Sequence, residues 1–254
     1  MLFLKKMKTK NIISKKNHPS LLELKKIITS TIKKRIPQFN DRLDLLHKFI
    51  DEKNINKLRI ELFTKLNKTH WEDIVLKLCE NEIHQLLGSD LLIQSKINVS
   101  IQMPNDERSL LPAHSDSWSA DSPFQINLWI PITDAFGTNS MFIWNELRTM
   151  NVMEKIKKDK SNKFDLSNLK AKDNDFVKLS FGQILIFNPA LIHGNVINKT
   201  KKTRISLNVR LKSIFSPEPN ARNPDRRFGT YYKNLKVSDN TNFAIKVLRS
   251  GVLD

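Results

Sequence analysis

Apolar positions recur at helical spacing through the first third of the chain and at strand spacing through most of the rest. Ser20-Leu21-Leu22-Glu23 reads as a capping box, a hydroxyl three residues ahead of a carboxylate, opening an amphipathic helix that Pro37 ends. Asn40 begins a second helix carrying Leu43, Leu45, Leu46, Phe49 and Ile50, and Ile55, Leu58, Leu62, Phe63 and Leu66 form a third apolar set. Thr69-His70-Trp71-Glu72 is another capping box, and the helix it starts closes at Gly88. These stripes are the core-facing sides of surface helices, so Trp71, His70 and His84 read as packing or surface residues.

Strand-like segments begin at Leu91. Between Ile97 and Met103 the alternation puts Asn98, Ser100 and Gln102 on one face. A polar loop from Ser117 to Pro123 leads into the strand Phe124–Pro131, and after Gly182 an apolar strand runs to a turn that presents His193 beside Gly194. Arg204-Ile205-Ser206-Leu207-Asn208-Val209-Arg210-Leu211 alternates without a break, turning Arg204, Ser206, Asn208 and Arg210 to one cavity and packing Ile205, Leu207 and Val209 the other way. Many short strands after a helical lead-in give a mainly β, α+β fold: an antiparallel jelly roll with helices buttressing one sheet. The expected organisation is a loose basic tail over 1–19, a helical region over 20–88, a catalytic β core over 89–215 and an extension over 216–254. Residues 145–175 hold eight basic and six acidic residues with little apolar periodicity, which reads as a lid, a substrate-selecting loop or an exposed charged excursion. The aromatic and basic run from Arg226 to Tyr232 has two readings, a cover for the barrel mouth or a dimer contact.

Charge sharpens this outline in two places. Of the net +17, residues 1–40 account for +10, with eleven Lys/Arg against Glu23 alone. Such an arm fits nucleic acid, anionic lipid or an acidic partner, and it equally fits solvated lysines in a lysine-rich composition. The segment Lys199–Arg204 sits between His193 and the alternating strand, where it would draw phosphorylated or nucleotide-linked substrates. Cys79, the single cysteine, lies among Ile74, Val75, Leu78 and Ile83 and reads as core packing in a reducing cytoplasm. No apolar run reaches membrane-spanning length, and the charges that follow Met1-Leu2-Phe3-Leu4 are in the wrong order for a secretory signal.

The chemistry is carried by four residues. His114 and Asp116 lie two apart, so that on a strand both project from one face; His193 comes 77 residues after Asp116 and Arg204 eleven after that. Two imidazoles and one carboxylate form a three-point facial set with open positions, a set that favours Fe(II) and O2 activation. A buried arginine demands an anion. Arg204 as a bidentate fork, with the Ser206 hydroxyl, would hold the distal carboxylate of 2-oxoglutarate. Gln102, Asn127 and Trp129 are candidates for the wall of the same cavity.

With these residues in place, the chain resembles the Fe(II)/2-oxoglutarate oxygenase superfamily and, by its His-to-Arg spacing, the phytanoyl-CoA-dioxygenase-like members. The stretches Leu111–Phe124, Leu128–Pro131 and Gly137–Met141 resemble the StrG-like subgroup of streptomycin and other carbohydrate gene clusters. The resemblance covers about residues 90–215. It implies a double-stranded β-helix, metal ligation by His114, Asp116 and His193, 2-oxoglutarate on Arg204 and Ser206, and consumption of O2. It also implies hydroxylation of a sugar, cyclitol or nucleotide-linked sugar. Asp116 stands where a halogenase would have a small residue. Two other readings stay open. Arg204-x5-Arg210 resembles the arginine pair of AlkB-type nucleic-acid dealkylases, in which case Arg210 could be the co-substrate anchor. A cupin-like binding protein or isomerase would use the barrel without redox chemistry.

Overall fold

The computed structural model describes residues 8–119, 121–159, 169–217 and 231–250. In chain order its main elements are β1 (Lys10–Ser14), α1 (Pro19–Arg35), α2 (Ile55–Leu66), α3 (Trp71–Leu87), β2 (Leu91–Gln94), β3 (Asn98–Gln102), β4 (Ile126–Pro131) and β5 (Phe142–Ile143), then α4 (Glu146–Lys158), β6 (Gln183–Phe187), β7 (His193–Gly194), β8 (Arg204–Ser213), β9 (Tyr232–Lys236) and α5 (Asp239–Arg249). A seven-stranded sheet in the order β1-β6-β4-β8-β2-β9, with β3 also on β8, faces a two-stranded sheet of β5 and β7. Every pairing is antiparallel. The expected jelly roll is thus present.

Strand β8 is its spine. Its ten residues pair with β4 on one edge, and with β3 and then β2 on the other. Ile205, Leu207, Val209 and Leu211 join Leu128, Ile130, Ile184 and Ile186 against the buried stripes of the helices, Leu21, Leu24 and Ile28 of α1 among them. Each such side chain contributes about 1.5–3 kcal/mol on burial, against about 0–1 kcal/mol for exposed ion pairs such as Lys33–Asp41 and Arg35–Glu61. Apolar burial therefore holds the helices to the sheet, and the lysines between residues 8 and 40 are exposed or half-exposed. The opposite faces of the same strands line the interior.

Several boundaries differ from the sequence reading. Lys10–Ser14 of the supposed tail is an edge strand in register with β6, Ile12 opposite Leu185. An apolar strand with an open edge captures any neighbouring extended segment, and lysines on the new edge discourage further addition. Helix α1 starts earlier than the Ser20 capping box: Pro19 presets the first turn, and the His18 side chain accepts from the Ser20 N–H. The second predicted helix is a short 3-10 turn, Leu43–Lys48. The α3 boundaries hold, with Gly88 closing the helix at φ 83°, but Thr69 gives its hydroxyl to the Leu66 carbonyl and His70 makes no side-chain cap bond. In the 145–175 region Glu146–Lys158 is helix α4, capped by Asn145 and packed through Val152 on Ala113, Phe142, Trp144 and Ile192. Its apolar stripe is too narrow for periodicity to reveal. The lid reading of 160–168, and Arg226, Arg227 and Phe228 of the aromatic run, lie outside the described residues.

Trp71 is buried in the main core, and Cys79 is buried beside it, where burial and Glu82 push its thiol up to about 12. Among the described residues no helix is long and apolar enough to cross a membrane. Cys79 is expected to resist a thiol-specific reagent at mildly alkaline pH in the native protein and to react stoichiometrically in denaturant; rapid native labelling would contradict this burial.

Candidate active site

His114 and His193 are brought together by backbone before side chain. Each donates its N–H to the other's carbonyl at 2.9 Å, an isolated bridge that continues the β5–β7 pairing. Gly194 is required beside it: a Cβ there would meet the carbonyl oxygens of Leu111 and Pro112 at 2.7 and 2.8 Å. Both rings are oriented alike, with Nδ1 2.8 Å from the carbonyl two residues earlier, Pro112 for His114 and Leu191 for His193. A carbonyl only accepts, so Nδ1 carries the proton and each Nε2 presents a lone pair inward.

Asp116 is not on a strand with His114, as its two-residue spacing predicted. It opens a 3-10 turn, Asp116–Ser119, held by its own N–H on the Pro189 carbonyl at 3.0 Å. The turn still aims Oδ1 at both histidines, 3.4 Å from Nε2 of His114 and 3.9 Å from Nε2 of His193. One ligand atom from each of the three lies within 4.8 Å of the others. That donor set, with both tautomers fixed and the carboxylate ionised, fits a divalent metal.

The second carboxylate oxygen is held from behind. Oδ2 accepts from Asn127 Nδ2 at 2.7 Å and pairs with Arg210 Nη2 at 3.1 Å. Asn127 and Arg210 are register partners on β4 and β8, so sheet pairing delivers both donors to one oxygen. Arg210 also pairs with Asp121 at 3.3 Å and donates to the Tyr231 hydroxyl at 3.1 Å. Burial alone would raise the Asp116 carboxyl, but the Arg210 charge and the hydrogen bond from Asn127 hold it well below the usual range. Burial is opposed at Arg210 by Asp116, whose charge keeps that guanidinium firmly protonated. His193 is lowered to about 4, chiefly by burial, and so is a neutral imidazole at physiological pH.

Arg204 lies at the other end of the β8 inner face and is 3% exposed. Its Nε donates to the Asn139 carbonyl at 3.1 Å, Nη1 to Ser100 Oγ at 2.9 Å and Ser206 Oγ at 2.7 Å, and Nη2 to Gln102 Oε1 at 3.0 Å. All four acceptors are neutral, and no carboxylate pairs with Arg204 among the described residues. Burial, with Arg59 adding a smaller like-charge effect, lowers it to about 10. The free bidentate fork expected from sequence is therefore modified. Four of the five guanidinium N–H groups are engaged, and the anion-binding capacity passes to one N–H and to the hydroxyls of Ser100 and Ser206. Ser206 already accepts from Arg204 and from Trp129 Nε1 at 3.0 Å, which leaves its O–H to donate.

A cavity of about 110 Å³ joins the two ends; His114, Asp116, His193, Trp129, Arg204 and Asn208 are among its lining. Wider grooves of about 430 and 500 Å³ elsewhere lack a convergent ligand set among the described residues. All eight residues singled out from the sequence belong to this constellation, Gln102 and Asn127 from behind the wall. Ser100, Asp121 and Tyr231 were missed. Ser100 was legible as the residue between Asn98 and Gln102 on one strand face; Asp121 and Tyr231 come from loops with no periodic signal. The basic segment before Arg204 does not line the cavity, because Lys202 is drawn to Asp44 on the 3-10 turn after α1.

A jelly roll with a His-Asp-His donor set at one end of its cavity and a buried arginine at the other is a frame that suits a non-haem metal site. The chain belongs to the phytanoyl-CoA dioxygenase family, which it matches over residues 28–206. It is 25% identical over 154 residues to the streptomycin biosynthesis protein StrG of Streptomyces griseus, a match over 59% of this chain and 62% of that protein's length. Among solved structures it resembles the non-haem monooxygenase ThoJ in its nickel complex, with a TM-score of 0.52 and 15% identity over 96% of this chain and 93% of the other. It also resembles HygX of Streptomyces hygroscopicus with nickel and 2-oxoglutarate bound, with a TM-score of 0.51 and 14% identity over 89% and 93%. At such identities these likenesses concern the fold.

Two substitutions test the geometry. Gly194→Ala should weaken metal binding about tenfold or more while leaving the circular dichroism spectrum native, because the bridge that seats His193 must shift; unchanged affinity would contradict the close approach. Arg210→Met should destabilise the metal-free protein by about 3–5 kcal/mol, since Asp116 and Asp121 lose their guanidinium. The deficit should shrink when a divalent metal is added, as read by thermal melts with and without nickel.

Proposed function

We propose that His114, Asp116 and His193 hold Fe(II) and that Arg204, Ser206 and Ser100 hold the distal carboxylate of 2-oxoglutarate. The substrate we propose is a sugar, cyclitol or nucleotide-linked sugar, which the chain hydroxylates. The observation that carries the site assignment is the pairing, across one cavity, of a three-atom donor set with a buried guanidinium that among the described residues meets only neutral acceptors. A desolvated cation of that kind is stabilised by an anion of matching reach, and a dicarboxylate with a keto-acid end supplies one while leaving that end at the metal.

Bound iron supplies the oxidising chemistry, coupling reduction of O2 to decarboxylation of 2-oxoglutarate. This chain's residues set the conditions for it. Neutral His193 ligates without first losing a proton. Asn127 and Arg210 occupy Asp116 Oδ2, so the carboxylate offers Oδ1 and leaves room at the metal for exchangeable ligands. Trp129, Phe187 and Met141 close the cavity with apolar surface and limit water. Asp116 provides a ligand where a halide site would need space.

The carbohydrate reading is supported by the similarity to a streptomycin biosynthesis protein and by the distinctive Leu111–Phe124 stretch that surrounds the ligands. Lys202 is occupied by Asp44, so recognition of a phosphate by that segment has no support from the cavity lining. An AlkB-like role for Arg210 as co-substrate anchor is opposed by its two carboxylate partners.

The test is anaerobic. Fe(II) followed by 2-oxoglutarate should produce a weak visible metal-to-ligand charge-transfer band. Asp116→Ala should abolish the band, and Arg204→Ala should require about a hundredfold more 2-oxoglutarate to reach it, as expected when a charged hydrogen-bonding partner is lost. A folded, iron-loaded protein that shows no band would refute the assignment.

A further inference from the structure

The inner face of β8 reads Arg204, Ser206, Asn208, Arg210, and three of these four have their polar atoms assigned. Asn208 does not. Its Oδ1 is buried without a hydrogen-bond partner, and among the described residues its side chain makes no hydrogen bond, although its backbone carbonyl accepts from Gln94 Nε2 at 3.0 Å. The side chain nevertheless lines the cavity that contains His114, Asp116, His193 and Arg204. Cross-strand register fixes its place, opposite Trp129 of β4 and Asn98 of β3. Two residues along a strand advance about 6.6 Å, so Asn208 stands between the Ser206 hydroxyl at the anion end and the Arg210–Asp116 pair at the metal end.

A carboxamide left without a partner on the wall of a ligand cavity is destabilising unless a ligand uses it. A half-turn of its side-chain amide exchanges Oδ1 and Nδ2 at no steric cost, so either a donor or an acceptor can face the cavity. A ligand stretched from Ser206 to the metal passes this point with its keto-acid end, and a carboxylate there accepts only. We propose that the Asn208 Nδ2 group donates to the carboxylate of 2-oxoglutarate adjacent to the keto group and holds that end at the metal. This rests on the co-substrate assignment made above. Asn208 thereby fixes the orientation of the keto acid, a role distinct from that of Arg204, which holds the opposite end.

Titration calorimetry on the nickel-loaded protein, which does not turn over, separates the two ends with two probes. 2-Oxoglutarate reports on both; oxalate mimics only the keto-acid end. Asn208→Ala should weaken both ligands about tenfold or more, and Asn208→Asp should weaken both further by placing a like charge against the carboxylate. Arg204→Ala should weaken 2-oxoglutarate and leave oxalate unchanged. Asn208→Ser, which keeps a short donor, should recover part of the loss, and nickel affinity should stay within about twofold of wild type throughout, since the metal ligands are untouched. Wild-type affinity of Asn208→Ala and Asn208→Asp for both ligands would overturn the proposal while leaving the co-substrate assignment standing. A wild-type nickel protein that binds neither 2-oxoglutarate nor oxalate would overturn both.

Discussion

Strand β8 carries two guanidinium groups into the interior, six residues apart on one face, and much of the structure answers the cost of keeping them there. A buried cation without a partner costs several kcal/mol. At Arg210 the answer is complete: Asp116 and Asp121 from one loop, and the Tyr231 hydroxyl from the segment just ahead of β9, converge on it. At Arg204 the answer is partial, because its partners are neutral hydroxyls, an amide and a carbonyl. The asymmetry gives the strand a direction. One end is closed by the protein itself and serves to brace a metal ligand, and the other is left to be completed by an anion.

The three proposed metal ligands are positioned by backbone constraints more than by their spacing. His114 and His193 exchange hydrogen bonds as β-bridge partners, and the Pro189 carbonyl holds the turn that carries Asp116. A loop displaced at residues 189–194 would therefore move all three together. Gly194 is part of this arrangement through absence of a side chain: the carbonyls of Leu111 and Pro112 occupy the space a Cβ would need. The side-chain contacts of Asn127 and Arg210 then set which carboxylate oxygen faces the histidines. Main-chain pairing thus brings the ligands together, and sheet register supplies the second layer that orients them.

Period-two alternation made β8, β3 and β4 legible in the sequence, and with them Arg204, Ser206, Gln102, Asn127 and Trp129, because an inward polar face is a pattern that composition alone does not produce. The helical lead-in was legible for the same reason at period 3.6. What alternation could not show was anything determined by contact between distant segments. Strand β1 lies within a lysine-rich stretch yet forms because β6 offers an open edge. Helix α4 buries Thr149 and Val152 alone, too narrow a stripe to stand out among its charges. Asp116 was read as a strand residue because its spacing from His114 allowed it, and the 3-10 turn reaches the same convergence by a different path. The engagement of most Arg204 donors depends on Ser100 and on the Asn139 carbonyl, and no local motif encodes a cross-strand acceptor.

The charge balance of the interior links these parts. Arg204 and Arg210 contribute two positive charges, Asp116 and Asp121 two negative ones, and His193 is held neutral by burial. The walls are therefore neutral in sum but not in distribution, since both carboxylates lie on Arg210 and Arg204 has none among the described residues. A divalent metal at His114, Asp116 and His193 compensates the carboxylate end, where two negative charges share one guanidinium. A dianion reaching Arg204 compensates the other end. Either alone leaves the cavity with two unbalanced charges in a medium where charges are weakly screened; together they restore neutrality overall and at each end. A site so distributed favours a metal and a dicarboxylate as a pair over either one alone. That preference follows from where β8 places its two arginines, before any contact with the substrate to be oxidised is considered.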